Sequence, residues 1–255
     1  MLSTYLKCPR QYNYRFVQHF SPKIPPSAPA FGAAIHSALY TYDISKKGSS
    51  AIETFKAEWT NPQGDPVRTV EKGISLLEDY FKFYTNDYLE VLQSEIGFSI
   101  PLTSEDLFFG RIDVIASYGL GRFCVCDRKT GKYLPKAEEF LLDLQLRGYT
   151  YAAKEITSLP LTFAMIDFIQ VTKTKKSPDI FARPLIFYPQ YRLDEWREEV
   201  IHWLEIIKKD KVFAPNRTAC HYYGKCQFFD VCILSAPQRI KLLEKDFIIK
   251  EWLPY

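Results

Sequence analysis

Two short stretches constrain the fold of this chain more than any others: Gly110-Arg111-Ile112-Asp113-Val114 and Val125-Cys126-Asp127-Arg128-Lys129-Thr130-Gly131. Asp113 lies inside an apolar run with strand character, and Asp127 closes the next one. Between them, Tyr118-Gly119-Leu120-Gly121 has the composition of a hairpin turn. A hairpin brings the two carboxylates side by side. Lys129 follows Asp127 by two residues, so on an extended strand its side chain emerges on the same face. Two carboxylates in a partly apolar site repel each other, and a bound divalent cation removes that cost. Mg²⁺ prefers oxygen donors and keeps several waters, so it can bind a phosphodiester oxygen and acidify a bound water. An isolated Asp-x-Lys before Thr-Gly is more often a solvated turn. Asp113 at hairpin distance tips the reading toward a metal site.

The surrounding pattern is that of an α/β protein. Residues 2–20 read as a helix with Leu2, Leu6, Tyr12 and Phe16 broadly on one side, and Pro9 suits a first helical turn. Ser21 to Pro29 is proline-rich and reads as a loop. A second helix is expected from about Phe31-Gly32 and carries His36. Residues 46–66 are polar with Gly and Pro and read as a loop or insertion, and 67–92 as a longer helix. Glu95–Leu102, Leu107–Ser117 and Arg122–Asp127 read as strands. A helix is expected over Ala137–Ile156, strands over Leu161–Thr172 and Ala182–Tyr191, and a helix N-capped by Asp194 that runs to about Lys209. The expected organisation is a single domain over 1–255. Its core spans about 90–192. The helical N-terminal segment (residues 1–90) and the cysteine-bearing C-terminal segment (residues 193–255) pack together.

Composition excludes some classes. The 255 residues are 47% hydrophobic, enough for a sizeable core. The net charge of +3 is too small to argue for nucleic acid by itself, since a DNA-binding face needs local charge. Aromatics reach 16%; most belong to a core, and a minority could stack on unpaired bases. No apolar signal core opens the chain and no run of about 18 apolar residues occurs, so a cytoplasmic protein is expected, in the host cytoplasm if viral, with no membrane partner. Structural disulfides are then not expected for the six cysteines. No Gly-x-x-x-x-Gly-Lys-[Ser/Thr] occurs, so any unwinding must come from a partner.

Further residues fit the acidic site. Gly32-Ala33-Ala34-Ile35-His36 places an imidazole on an early helix, although a lone helical histidine is more often not a ligand. Gln145 and Tyr149, four apart, share a helix face and supply hydrogen bonds suited to phosphate or base contact. Alone they would read as a polar helix edge. Cys8-Pro9, Gly32-x-x-x-His36, Gly110-Arg111-Ile112-Asp113, Asp127-Arg128-Lys129-Thr130-Gly131, Gln145-Leu146-x-x-Tyr149 and the C-terminal cysteines occur in that order over nearly the whole chain. The ordered set closely resembles the RecB-like branch of the PD-(D/E)xK nucleases. That branch includes the nuclease domains of bacterial recombination helicase–nucleases and the CRISPR-adaptation exonucleases.

The resemblance implies a restriction-endonuclease-like mixed sheet flanked by helices. It implies a Mg²⁺- or Mn²⁺-dependent deoxyribonuclease, mostly exonucleolytic, acting on single-stranded or end-bearing DNA beside a helicase or a recombination or integration partner. His36, Asp113, Asp127 and the Arg128 carbonyl would bind the metal, Lys129 would be the catalytic lysine, and Gln145 and Tyr149 would support the site. Glu95 matches a position that often carries Glu, as ligand or as structural acceptor. It further implies a [4Fe–4S] cluster on Cys8, Cys220, Cys226 and Cys232, joining the N- and C-terminal segments. Five residues separate Cys220 from Cys226 where the family has two, so Zn²⁺ on the same cysteines, or with His221, stays open, as do unrelated buried thiols. Cys124 and Cys126 share one strand face and read as core residues. Tyr151 could stack on a base, and Lys173, Lys175 and Lys176 could contact phosphates or form a solvated loop. From another class, a catalytically silent nucleic-acid-binding or scaffold subunit of a recombination, CRISPR-adaptation or viral replication complex also fits this composition. The intact Asp113, Asp127 and Lys129 argue against it.

Overall fold

The structure, a computed structural model, describes residues 1–251 except Leu120, Ser177, Asp179 and Tyr223. Leu120 of the expected hairpin turn, Ser177 and Asp179 of the basic loop and the last four residues of the tail lie outside the described residues. In chain order the elements are α1 (Leu2–Lys7), α2 (Pro9–Tyr12), β1 (Phe20–Pro22), α3 (Ser27–Ser45), α4 (Gly48–Glu58), α5 (Val70–Phe83), β2 (Leu89–Pro101), β3 (Leu107–Tyr118), β4 (Phe123–Gly131), α6 (Leu144–Ile156), β5 (Leu161–Gln170), β6 (Phe181–Ala182), β7 (Leu185–Ile186), α7 (Gln190–Lys209), α8 (Phe229–Ile233), α9 (Ala236–Asp246) and β8 (Phe247–Ile249). Among the described residues two compact units result: one contiguous, Ser27–Arg197, and one formed by Met1–Pro26 with Glu198–Glu251.

The contiguous unit holds a mixed sheet in the order β2-β3-β4-β5-β6, with β7 also pairing β5. β2, β3 and β4 are antiparallel neighbours. β4 and β5 run parallel, so the chain between them must cross over, and α6 is that crossover. Side chains alternate along β4. Val125 packs with Ile112, Ile115 and the Ala152 and Ala153 of α6. Cys124 and Cys126, on the other face, are fully buried among Val114, Ala116, Phe163 and Met165, as core residues. This is the mixed, helix-flanked sheet expected from the sequence.

Helix α3 buries Phe31, Ala34, Ile35, Ala38 and Leu39, a stripe at helical spacing. Its partner was not foreseen, because residues 46–66 are not a loop. They contain α4, which buries Ala51 and Phe55 and ends on the buried Trp59. The three apolar residues recur every fourth position, and that period outweighs the polar composition. The glycine and proline that suggested a loop sit at the ends of the helix, at Gly48 and in the turn after Trp59. Phe31 meets Phe55 and Trp59 edge-on at 5.5 and 5.2 Å.

Other boundaries moved for local reasons. The helix expected over 2–20 breaks at Cys8, whose backbone is extended, and after α2 it widens into a π-turn over Asn13–Val17. Lys136 to Phe140 forms a short 3-10 turn, and Asp143 then caps α6 by accepting from the Leu146 amide at 2.7 Å, so the helix expected from Ala137 begins later. The strand expected over Ala182–Tyr191 splits into β6 and β7 around Pro184, which cannot donate to a ladder. α7 starts at Gln190, so Asp194 lies inside it and accepts from the Gln190 side chain.

In the other unit, β1 pairs antiparallel with β8, matching Phe20 to Ile249 and Pro22 to Phe247. Tyr14, Phe228, Val231, Leu243 and Phe247 form its core, with Cys226 and Cys232 against it. No described helix is long and apolar enough to cross a membrane.

The α4–α5 seam generates a stability prediction. A Cβ placed on Gly73 of α5 would come within 1.9 Å of the Phe55 ring. Gly73→Ala is therefore expected to lower unfolding stability by about 1–3 kcal/mol through overpacking, despite its better helix propensity. A urea midpoint at or above that of the wild type would refute the packing account.

Candidate active site

Sheet register builds the site. Ser94 pairs with Val114 and Ile96 with Ile112, which leaves Glu95 across from Asp113. On the next strand Val114 pairs with Cys126, so the following position sets Asp127 beside Asp113. Glu95, Asp113 and Asp127 thus occupy neighbouring positions on β2, β3 and β4. Glu95 has a left-handed backbone, φ 53°, unusual for a glutamate and a sign of local strain at this spot. His36 of α3 reaches the row: its Nδ1 lies 3.5 Å from Asp113 Oδ2. Donor atoms of His36, Glu95 and Asp113 lie within 4.8 Å of one another. The expected ligands were His36, Asp113, Asp127 and the Arg128 carbonyl; Glu95 joins His36 and Asp113 in this group, while Asp127 Oδ2 lies 2.5 Å from Lys129 Nζ.

Arg128 serves the site through its backbone. Its amide donates to Asp113 Oδ2 at 2.8 Å, and the His36 ring hydrogen-bonds to its main chain. Lys129 Nζ also donates to Gln145 Oε1 at 2.8 Å, and Gln145 Nε2 donates to the Tyr149 hydroxyl at 3.0 Å. Asp127, Lys129, Gln145 and Tyr149 therefore form one continuous polar chain from β4 to α6. Two glycines make room for it. A Cβ on Gly32 would lie 2.9 Å from Thr130 Oγ1, so α3 approaches β4 closely just before His36; a Cβ on Gly110 would meet Phe98 at 2.9 Å and Tyr149 at 3.5 Å.

The family model of the PD-(D/E)XK nuclease superfamily matches residues 1–233. The chain belongs to this superfamily. Among solved structures, the nuclease is similar to a provisionally assigned exonuclease from Eubacterium rectale, with 15% identity, a TM-score of 0.49, and 84% of this chain and 79% of that one covered. It is also similar to SSO0001, with 17% identity, a TM-score of 0.39, and coverages of 80% and 85%. No functionally curated protein matches it significantly.

The electrostatics of this candidate site are those of charges short of water. Burial pushes the Asp127 carboxyl up to about 6; Lys129 opposes the shift and Asp113 adds to it. Burial likewise raises Asp113 and Glu95, against the Arg128 amide for the first and Arg111 for the second. Burial lowers His36 to about 4, leaving the imidazole neutral and able to ligate. Burial disfavours the Lys129 ammonium, but Asp127 more than offsets this, and its pKa rises. Asp127 Oδ2 and Lys129 Nζ, 2.5 Å apart, form a buried ion pair at the edge of the row.

The remaining predicted residues lie apart from this chain of contacts. Tyr151 is half-buried and packs on the Trp196 ring at 5.3 Å. Lys173, Lys175 and Lys176 are exposed in a loop after β5. Cys8, Cys220, Cys226 and Cys232 are unpaired thiols of the discontinuous unit. The Asn216 amide donates to Cys8 Sγ at 3.4 Å, and burial raises Cys226 and Cys232, with smaller contributions from neighbouring cysteines, Cys8 among them. Sequence reasoning missed Asp43, which holds the buried Arg128 guanidinium at 2.8 and 2.9 Å. Its available signal was its place two helical turns after His36.

The raised Asp127 carboxyl sets a pH-dependent prediction. In the metal-free protein its folded pKa of about 6 exceeds the ordinary 3.8, so its contribution is lost as pH rises toward and through 6. Asp127→Asn should raise stability in EDTA by about 1–3 kcal/mol at pH 8, the lower end of that range allowing for the lost Lys129 pair. It should change little near pH 3.5. Thermal melts with no gain at pH 8 would contradict this.

Proposed function

We propose that the protein is a metal-dependent deoxyribonuclease, acting as an exonuclease on single-stranded DNA or DNA ends. The observation that carries this reading is the continuous arrangement of His36, Glu95, Asp113 and Asp127 with Lys129, Gln145 and Tyr149. The donor set of imidazole and carboxylates, with His36, Glu95 and Asp113 donor atoms within 4.8 Å of one another, fits Mg²⁺ or Mn²⁺. His36, Glu95, Asp113 and Asp127, with the Arg128 carbonyl, would hold the ion. When bound, it would polarise a phosphodiester oxygen and acidify a water.

The chain's own groups do the rest. Lys129 stays protonated, so it acts as a fixed positive charge beside the scissile phosphate rather than as a base. Its bond to Gln145 aims the ammonium, and the Asp127 contact keeps it at the metal site. The Tyr149 hydroxyl, pushed up to about 12 by burial, keeps its proton and can donate to a phosphate oxygen. Tyr151 and the Lys173, Lys175 and Lys176 loop are the proposed strand contacts. A helicase, recombination or integration partner in the cytoplasm would supply unwound ends.

The same reading places a [4Fe–4S] cluster on Cys8, Cys220, Cys226 and Cys232. Four unpaired thiols in one unit, with an amide aimed at Cys8 Sγ, support it. Zn²⁺ on the same cysteines is the competing reading, since tetrahedral thiolate sites suit it as well.

Cleavage of a labelled single-stranded oligonucleotide with Mn²⁺ tests the proposal. Asp113→Ala should abolish it, and Lys129→Ala should lower kcat about 10²–10³-fold. Metal-dependent cleavage that survives Asp113→Ala, or none with any end structure, would end the reading. For the cluster, anaerobically purified protein should contain iron and sulfide and lose both in Cys226→Ser. Stoichiometric zinc without iron would replace the cluster by a zinc site.

A further inference from the structure

The side chain of Asp43 lies outside the candidate metal site yet touches the segments that build it. It is 5% exposed, and its carboxylate takes Arg128 Nη1 at 2.8 Å and Nη2 at 2.9 Å. Its Oδ2 also accepts from Ser94 Oγ at 2.6 Å. Each partner adjoins a residue of the site. Arg128 sits between Asp127 and Lys129, and its main chain meets both Asp113 and His36. Ser94 immediately precedes Glu95, whose left-handed backbone turns its carboxylate into the row. Asp43 itself lies two turns after His36 on α3, on the same helix face.

Helix α3 is thereby tied to β4 twice. Gly32 allows contact with Thr130 at one point, and Asp43 grips Arg128 at another. His36 lies between these anchors. A buried ion pair is a poor source of stability, since apolar residues of similar volume commonly replace one without loss. Its bidentate geometry, however, fixes direction as well as distance.

We infer that Asp43 is a positioning residue: one buried carboxylate that sets α3, β2 and β4 in register, so that His36, Glu95 and Asp127 converge on one cation. The inference rests on the metal-dependent reading above. It assigns the alternation of β4 two duties, with Asp127 and Lys129 facing the reaction and Arg128 facing Asp43. Outer groups that orient metal ligands commonly change affinity about 10–100-fold when removed.

The test compares the full-length wild type with Asp43→Leu/Arg128→Met, which removes both charges together, and with Ser94→Ala, which leaves the ion pair intact. Mn²⁺ affinity is measured by calorimetry, folding by circular dichroism and melting, and oligonucleotide cleavage over a Mn²⁺ titration. The expected result is a folded double variant that binds Mn²⁺ at least tenfold more weakly, with kcat largely recovered at saturating Mn²⁺. Ser94→Ala should weaken binding at least threefold. A folded double variant with wild-type affinity overturns the inference and leaves the nuclease reading intact. If the double variant does not fold, wild-type affinity in Ser94→Ala overturns it instead. Absence of Mn²⁺ binding in the wild type removes the metal reading and this inference with it.

Discussion

Three carboxylates on adjacent strands repel one another, and much of this structure works against that repulsion. Glu95, Asp113 and Asp127 face a space short of water, where burial raises all three pKa values. The protein answers with cations and donors placed one per acid. Arg111 Nε lies 2.6 Å from Glu95, the Arg128 amide donates to Asp113, and Lys129 lies against Asp127. None of these neutralises the row, because each acts at one edge. An excess of negative charge of this kind is what a bound cation would offset in the proposed reading.

Much of this was legible in the sequence because strands alternate with a fixed period. Asp113, Asp127 and Lys129 could be assigned to one face from spacing alone, and the β3–β4 register supports that assignment. Gln145 and Tyr149 were legible for the same reason at helical spacing; they bond to each other, and Gln145 also accepts from Lys129. Glu95 was visible only as a matching position. Its entry into the group of donors depends on a backbone kink that no residue type announces. Asp43 offered only its place two helical turns after His36, because a buried ion pair joins residues 85 apart and either partner alone reads as an exposed charge. Helix α4 was obscured by composition, since its apolar stripe is one residue wide.

A second buried network follows the same logic on β5. Asp167 accepts from Tyr80 and from Arg183 Nε, and Arg183 also pairs with Asp87 and lies over the Tyr84 ring at 3.6 Å. Such fully occupied polar clusters resist rearrangement, because a shift of any member leaves another unpaired in low dielectric. The sheet beneath the site is accordingly stiffened by directional bonds as well as by apolar packing.

The pairing of β1 with β8 has a temporal consequence. Residues 20–22 are synthesised more than two hundred residues before their sheet partner, residues 247–249. The unit containing them is discontinuous and cannot close until both of its segments have been made. Ser27–Arg197, by contrast, is contiguous and carries every member of the candidate active site. During synthesis the whole of Ser27–Arg197 is therefore available to fold before β1 can meet its partner strand.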